Sequence, residues 1–254
     1  YTIGKAYGTK LLSIGKNKCI VGYDNRESSI ELSLSLSLGI LSTGVDVINL
    51  GLVTTPMAIY SKEVLKIPSY VMVTASHNPK DDNGFKFSFD ESGNVKGDDI
   101  DKFYDLVISG NFKEGMGKFS RYNVEKDYLE LFRRGINLGN KKLKVVIDLA
   151  NGTTSCIARE LFEQFDIDLT IINEESDSSF PNHHPDPCVA ANQKQLQDKV
   201  LELHADLGIG FDGDGDRCGI VDNLGNIIPT DIYMAIMCKD IILNNEDKRI
   251  LYDV

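Results

Sequence analysis

The chain has 254 residues, of which 42% are hydrophobic and 26% charged, and its formal net charge is −11. This length allows one large or two ordinary domains, and the composition is typical of a soluble globular protein. The acidic balance argues against nucleic-acid binding, although a few local lysines and arginines can still draw an anion into one cleft. No apolar run approaches the roughly 20 residues of a membrane-spanning helix, which argues against a membrane protein.

The cysteines also indicate where the protein resides. There are five, an odd number, and no Cys-x-x-Cys pair occurs among them. This pattern is typical of reduced thiols and argues against a disulfide scaffold or a zinc site. The sequence from Tyr1 to Lys5 does not resemble a signal peptide. We therefore expect a cytoplasmic protein.

The first part of the chain alternates apolar runs with helical patterns. The runs predict strands at 19–23, 45–49, 69–74 and 85–89, and helices at 5–14, 54–66 and 97–108. Residues 30–41 are ambiguous, because leucines alternate with serines there as in a half-buried strand. We interpret this segment as a helix, since parallel strands flank it and need a crossover between them.

The later part of the chain repeats the βα pattern. Residues 109–121, rich in Gly, Lys and Ser, are predicted to be a linker. Strands are then predicted at 143–149, 167–172, 206–210 and 249–254, and helices at 124–136, 153–165, 191–204 and 230–243. A turn is predicted at 92–94 and a hairpin at 221–227. We predict an α/β fold of two consecutive three-layer α/β/α domains with mixed, largely parallel sheets, plus the start of a third domain.

A small polar loop follows the strand at 69–74. Its sequence is Thr74-Ala75-Ser76-His77-Asn78-Pro79. The Asn-Pro pair ends regular structure, which places Ser76 at the carboxyl end of a parallel strand, where open α/β sheets carry out their chemistry. A Ser-His pair in a turn is also common without any function, so this loop alone leaves both interpretations open.

A second loop carries three carboxylates, Asp212, Asp214 and Asp216, separated by glycines. Glycines let the backbone turn tightly enough for such carboxylates to converge on a hard cation such as Mg²⁺ or Ca²⁺. An EF-hand loop is excluded, because Arg217 and Asn223 stand where that motif needs Gly and Glu. Arg217 beside the acids indicates an anionic ligand shared with the metal.

The two loops together predict phosphoryl transfer. Such chemistry needs a carrier or nucleophile, an electrophilic metal and fixed positive charge around the phosphoryl oxygens. Ser76 can be the carrier and the three aspartates can hold the metal. Lys86 and Arg217 can supply the positive charge.

These segments resemble the α-D-phosphohexomutase family. Residues 74–79 resemble its phosphoserine loop, 83–86 the segment after that loop, 22–29 its early loop, 145–152 the start of its second sheet, and 212–217 its metal loop. Residues 181–187, Pro-Asn-His-His-Pro-Asp-Pro, are similar to the phosphomannomutase/phosphoglucomutase branch. The resemblance extends over essentially the whole chain.

The resemblance implies a reaction and a set of site residues. A phosphoserine exchanges its phosphoryl group with hexose 1- or 6-phosphate, through a hexose 1,6-bisphosphate. The implied catalytic residues are Ser76, His77, Lys86 and Arg217. Mg²⁺ would be held by Ser76, Asp212, Asp214 and Asp216. Substrate would contact Arg26, Asn78 and Arg217.

The resemblance also implies a domain plan. Residues 1–121 would form domain I with the phosphoserine loop, 122–226 domain II with the metal loop, and 227–254 the beginning of a truncated domain III. The chain would then be the N-terminal half of a mutase. Two alternatives stay open, a phosphoglucosamine mutase and a non-catalytic module that binds a cation or sugar phosphate.

Three histidines each allow two interpretations. His77 can contact the substrate or pack within its loop. His183 and His184 raise the idea of a zinc site, but no third ligand lies at metal spacing. A structural loop bracketed by prolines is the preferred interpretation of that segment.

Overall fold

Two five-stranded sheets, one in each half of the chain, form the framework of the computed structural model, which describes residues 1–91 and 93–250. The first half contains α1 (Thr2–Ser13), β1 (Lys18–Tyr23), α2 (Ser29–Leu41), β2 (Asp46–Leu52), α3 (Thr55–Leu65), β3 (Tyr70–Val73), β4 (Phe85–Ser88), α4 (Asp98–Ser109) and β5 (Phe119–Arg121). Its strand order is β4-β3-β1-β2-β5. The β3–β4 pair is antiparallel and the other pairs are parallel.

The second half repeats this plan. It contains α5 (Glu125–Gly135), β6 (Lys144–Asp148), α6 (Ala158–Phe162), β7 (Asp168–Ile172), α7 (Lys194–Leu203), β8 (Leu207–Phe211), β9 (Cys218–Asp222), β10 (Ile227–Ile228) and α8 (Thr230–Asn244). The strand order is β10-β9-β8-β6-β7, with β6, β7 and β8 parallel and the two hairpin strands antiparallel. The predicted fold class is confirmed.

The leucine–serine segment is helix α2, as the crossover argument predicts. Leu36 is buried, whereas Leu34 and Leu38 are 50% and 60% exposed. Ser33 and Ser37 lie buried on the inner side of the helix instead. Small side chains at these positions leave room for a neighbouring helix, which explains why serines rather than leucines fill much of this face.

That neighbour is α1, which crosses α2 at glycines. A Cβ atom on Gly4 would lie 2.1 Å from the Leu36 carbonyl oxygen, and one on Gly39 would lie 2.1 Å from the Tyr1 carbonyl oxygen. Real Cβ atoms do not come this close to a backbone atom. The two backbones are therefore in direct contact, and any side chain at either glycine must push the helices apart.

Two segments correct the sequence predictions. Residues 119–121, predicted as part of a linker, form strand β5 parallel to β2. All three of its side chains are exposed, so no apolar alternation marked it. The helix predicted at 153–165 is a 3₁₀ turn over Thr153–Cys156 followed by the short α6. The amide of Thr153 donates to the Gly213 carbonyl, which draws this turn toward another loop.

The last helix, α8, has no buried residue and bonds back to the second sheet through the Tyr233 hydroxyl, 3.1 Å from the Cys218 carbonyl.

The predicted turn at 92–94 and strand at 249–254 fall partly on residues 92 and 251–254, which lie outside the described residues. Within 1–91 and 93–250, no helix is both long and apolar enough to cross a membrane.

The contact between α1 and α2 predicts a difference between two helical glycines. Gly4→Ala should lower the free energy of unfolding by about 1–3 kcal/mol, because the added methyl group overpacks the helix crossing. Gly135→Ala is the matched control, since no atom lies within 4 Å of its Cβ position. That change should be neutral or stabilising by up to about 1 kcal/mol through helix propensity. Urea denaturation of both variants measures the two effects, and equal effects would contradict the close approach.

Candidate active site

The predicted serine and aspartate loops meet. The serine loop (residues 74–84) follows β3, and the aspartate loop (residues 212–217) follows β8, so each lies at the carboxyl end of a parallel strand. The Ser76 hydroxyl donates to Asp212 Oδ2 at 2.8 Å, although 136 residues separate the two in sequence. Both residues are buried. The contact joins a loop of the first sheet to a loop of the second.

The backbone at Ser76 is held in an uncommon conformation. Its φ angle is 53°, a left-handed value that a non-glycine residue adopts only with support from its surroundings. The amide of Ser76 donates to Thr74 Oγ1 at 2.8 Å. A Cβ atom on Gly213 would lie 2.5 Å from the Ser76 carbonyl oxygen. Glycine is therefore required at position 213 for the two loops to approach this closely.

Asp214, like Asp212, is fully buried. Its Oδ2 atom accepts from Thr55 Oγ1 at 2.6 Å, from Thr74 Oγ1 at 3.1 Å and from Lys86 Nζ at 2.7 Å. Its carbonyl also accepts from the Thr55 amide at the start of α3, where the helix dipole favours negative charge. Neither threonine was predicted as a site residue. The sequence marked Thr55 only as part of a helix start, which gives no hint of its partner 159 residues away.

These residues fit a hard cation. One carboxylate oxygen from each of Asp212, Asp214 and Asp216 lies within 4.8 Å of the others. The second oxygen of Asp214, Oδ1, is buried and has no hydrogen-bond partner. A buried acceptor without a donor costs free energy, and a divalent cation would satisfy it. The all-oxygen donor set suits Mg²⁺ better than a soft metal.

Lys86 partly offsets the acidic charge. Its ammonium group lies 2.7 Å from Asp214 Oδ2 and 2.6 Å from Asp216 Oδ2. Burial opposes the lysine charge, but the two carboxylates outweigh it and raise the pKa of Lys86. The pKa of Asp214 is lowered, because Lys86 and the nearby hydroxyls outweigh burial. Burial and the neighbouring acids raise the pKa of Asp212. The pKa values of Asp212 and Asp214 therefore shift in opposite directions.

The other predicted site residues surround this centre. The Arg217 amide donates to Asp212 Oδ1 at 3.0 Å, while its side chain is exposed. His77 is half-buried, and its Nδ1 atom is buried without a partner. Asn78 is exposed and accepts through its carbonyl from Arg26. Ser76, Lys86 and the three aspartates thus form the centre, with Arg217, His77 and Asn78 at its edge.

Arg26 lies against the serine loop. It is 2% exposed, and its four terminal N–H groups all donate to main-chain carbonyls between Ser76 and Asp82. A guanidinium has five N–H donors, and the fifth, at Nε, lies 3.2 Å from Asp24. The Nε group is buried without a hydrogen bond, and the contact of Arg26 with substrate stays a prediction.

His183 anchors a loop. Its Nε2 atom lies 2.9 Å from Asp148 Oδ2 and its Nδ1 atom 3.0 Å from the His184 carbonyl. Burial opposes protonation of the ring, but these two acceptors outweigh it and raise the pKa of His183 above 6.5. Across the described part of the chain, the three aspartates are the only group of His, Cys, Asp and Glu with metal-site geometry. The structural-loop interpretation of this segment thus agrees with its contacts.

Comparison with known proteins places the chain in a family. A sequence model described as phosphoglucomutase/phosphomannomutase, alpha/beta/alpha domain I, matches residues 1–114, and the model of domain II matches residues 126–225. The chain belongs to this family, the α-D-phosphohexomutases. The matches fall on the N-terminal portion of its members.

Individual relatives agree with this assignment. The chain is 37% identical over its whole length to a phosphomannomutase/phosphoglucomutase of Pseudomonas syringae pv. tomato, and covers 54% of that protein. It is 34% identical to a phosphoglucosamine mutase of Caldicellulosiruptor bescii, over 95% of this chain and 55% of that one. A crystal structure of a phosphoglucomutase/phosphomannomutase family protein from Burkholderia thailandensis superimposes with a TM-score of 0.91 at 33% identity, covering 96% of this chain and 54% of that one. The phosphohexomutase chain thus spans about half the length of these relatives.

The enclosed position of Asp214 predicts its effect on metal binding. Asp214→Asn should weaken Mg²⁺ binding at least about tenfold, because an amide removes the negative charge that attracts the cation. Isothermal titration of the chain with MgCl₂ measures the dissociation constant. Asp166→Asn is the control, since that side chain is 86% exposed and pairs only with Lys142 in the same half of the chain. Equal affinities in the two variants would contradict the metal site.

The raised pKa of His183 predicts a pH-dependent stability. The protonated ring stabilises the folded state fully below its ordinary pKa of about 6.5, and this contribution is lost as the pH rises through the higher folded value. The free energy of unfolding of the wild type should therefore exceed that of His183→Gln by about 1–3 kcal/mol near pH 6, and by less near pH 8. Urea denaturation at both pH values tests this, with His184→Gln as the control for a glutamine in the loop. A difference that does not change with pH would contradict the ion pair with Asp148.

Proposed function

We propose that this chain is the phosphoserine- and metal-bearing half of a mutase that interconverts hexose 6-phosphate and hexose 1-phosphate. The observation that carries the proposal is the 2.8 Å contact between the Ser76 hydroxyl and Asp212. This contact brings a serine with a strained backbone next to three converging carboxylates and a lysine ammonium. A carrier serine beside a cation site is what phosphoryl transfer requires.

Mg²⁺ is the cation we propose, held by Ser76, Asp212, Asp214 and Asp216. When bound, it would supply positive charge to the phosphoryl oxygens. The residues of the chain do the remaining work. Before Ser76 is phosphorylated, Asp212 holds its hydroxyl in place through their hydrogen bond. Lys86 adds a second positive charge on the side of Asp214 and Asp216.

The proposed reaction moves one phosphoryl group at a time. The bond from phosphorus to Ser76 Oγ breaks while a bond from phosphorus to a sugar hydroxyl oxygen forms, and the hydroxyl proton is released as Ser76 Oγ regains one. The resulting hexose 1,6-bisphosphate reorients and returns its other phosphoryl group to Ser76. A covalent carrier in a buried site keeps the phosphoryl group from being lost to water.

We further propose roles for the residues at the edge of the centre. The exposed Arg217 side chain is free to reach an anionic substrate, and the buried, unpartnered Nδ1 of His77 offers a contact to the phosphoryl group. Asn78 is exposed beside them. Mannose and glucose phosphates are the proposed substrates, which the names of relatives such as the Pseudomonas protein support.

The domain plan is also proposed here. We assign residues 1–121, 122–226 and 227–254 to domain I, domain II and the beginning of domain III, although strand β10 at Ile227–Ile228 still pairs with β9 of the second sheet. The first sheet ends with β5 at Arg121 and the second begins after α5, which supports the first boundary. All five cysteines are free, which supports the proposed cytoplasmic location.

The proposed role of Ser76 can be tested by mass spectrometry. After incubation with Mg²⁺ and glucose 1,6-bisphosphate, the wild type should gain one phosphoryl group, which peptide mapping should place on Ser76. Ser76→Ala should gain none, while Ser179→Ala, a change in another loop, should be labelled like the wild type. The full-length Pseudomonas relative serves as positive control. If that relative is labelled and this chain is not, the 254 residues do not form a competent phosphoserine site, and the proposal is wrong.

A further inference from the structure

The serine loop is held from behind by one side chain. Arg26 Nη2 donates to the carbonyl oxygens of Ser76 and Asn78, both at 2.8 Å. Arg26 Nη1 donates to the carbonyl oxygens of Pro79 at 2.6 Å and Asp82 at 3.1 Å. Loop carbonyls that point inward need a donor, and a planar guanidinium can serve several of them in a fixed geometry. Arg26 therefore fixes the positions of four peptide groups in the loop that carries Ser76.

Arg26 is itself held by Asp24. The Nε atom lies 3.2 Å from Asp24 Oδ2, and both side chains are 1% exposed. The Arg26 amide and the Ser29 hydroxyl both donate to Asp24 Oδ1. Further hydrogen bonds help to maintain a buried ion pair. Here they hold Asp24 Oδ1 and the two terminal nitrogens of Arg26, while Arg26 Nε faces Asp24 without a hydrogen bond. The guanidinium consequently has one well-defined orientation toward the serine loop.

The residue between these two binds the other half of the chain. The Asn25 amide donates to Thr153 Oγ1 at 3.0 Å. The Asn25 side chain donates to the Asn151 carbonyl at 2.8 Å and to Ser176 Oγ at 3.0 Å. All three partners belong to the second half, and one of them, Thr153, also contacts the aspartate loop through its amide, which donates to the Gly213 carbonyl. Asn25 thus ties this short segment to the second domain.

Phe180 makes a second connection between the halves. The Arg26 Cζ atom lies 5.6 Å from the centre of the Phe180 ring. Phe180 is 8% exposed and has a φ angle of 49°. A bulky aromatic residue adopts this left-handed conformation only when its surroundings impose it. The second domain therefore covers the guanidinium that shapes the serine loop.

We infer that Asp24-Asn25-Arg26 is a positioning element that sets the geometry of the serine loop and makes it depend on the docking of the second domain. None of these three residues contacts the reacting atoms. The Cα atoms of Asn25 and Arg26 are only about 3.8 Å apart, so a displacement of the second domain at Asn25 moves the backbone that bears the guanidinium. The inference rests on the proposed function only in giving Ser76 its phosphoryl role.

Hydrogen–deuterium exchange on the 254-residue chain tests the first part of the inference. Arg26→Lys keeps a positive charge beside Asp24, but a compact ammonium with three donors cannot serve four carbonyls. Exchange in peptides covering residues 74–84 should become at least about tenfold faster, since local opening requires less free energy once these bonds are lost. Tyr7→Phe is the control, because it removes buried bonds to the Tyr70 and Ser88 carbonyls in the same domain and leaves the loop contacts intact.

Asn25→Ala and Phe180→Leu test the dependence on the second domain. Neither side chain bonds to the serine loop, so faster exchange of residues 74–84 in these variants would show that the second domain acts through Asp24-Asn25-Arg26. Both variants also decide the question if Arg26→Lys does not fold. Unchanged exchange of residues 74–84 in Asn25→Ala and Phe180→Leu would overturn the inference. The inference would also be overturned if exchange in Arg26→Lys became faster throughout the first domain, with the same distribution as in Tyr7→Phe.

A separate assay distinguishes this inference from the proposed function. If the wild type is labelled on Ser76 by glucose 1,6-bisphosphate, Arg26→Lys should be labelled at least about tenfold more slowly at a temperature where it remains folded, since a misplaced reacting atom slows the transfer. Equal labelling rates would overturn the positioning role. If the wild type is not labelled, the proposed function fails, while the exchange measurements still decide whether Arg26 and Asn25 position the loop.

Discussion

The hydrogen bond between Ser76 and Asp212 is the constraint on which the rest of the site depends. It joins loops from two separate sheets, and its 2.8 Å length leaves no room for side chains between them. Gly213 is needed because a Cβ there would collide with the Ser76 carbonyl oxygen. The bonds from Thr55 to Asp214 and from Asn25 to Thr153 lie around the same contact. The two domains are thus fitted to each other at the point where chemistry is proposed.

Electrostatic repulsion is the cost of this arrangement. Three carboxylates converge within 4.8 Å, and two of them are fully buried. Lys86, nearby hydroxyl groups and the N-terminus of α3 offset part of this charge. The raised pKa of Asp212 and the unpartnered Oδ1 of Asp214 show that the offset is incomplete. A site that lowers its own stability in this way is expected where a cation is to be bound.

Much of the fold and the centre of the site could be predicted from sequence, because both depend on local patterns. Helix α2 followed from the need for a crossover, and the aspartates from their spacing. Strand β5 was not predicted, because its exposed side chains show no alternation of apolar and polar residues. Its backbone pairing with β2 is visible only in the structure. Thr55 and Asn25 were missed as site residues since their partners are distant in sequence. The hydrogen bonds from Arg26 to the serine loop could not be predicted, because sequence does not show which way a buried side chain points.

A crystal of this chain soaked in Mn²⁺, with anomalous diffraction recorded, would test the central claim most directly. The account predicts one strong anomalous peak in contact with Asp212, Asp214 and Asp216, at ligand distances of about 2.0–2.3 Å and adjacent to Ser76 Oγ. A peak there would show that serine and aspartate loops share one metal-dependent site. A peak at another place, or none at saturating Mn²⁺, would contradict the account.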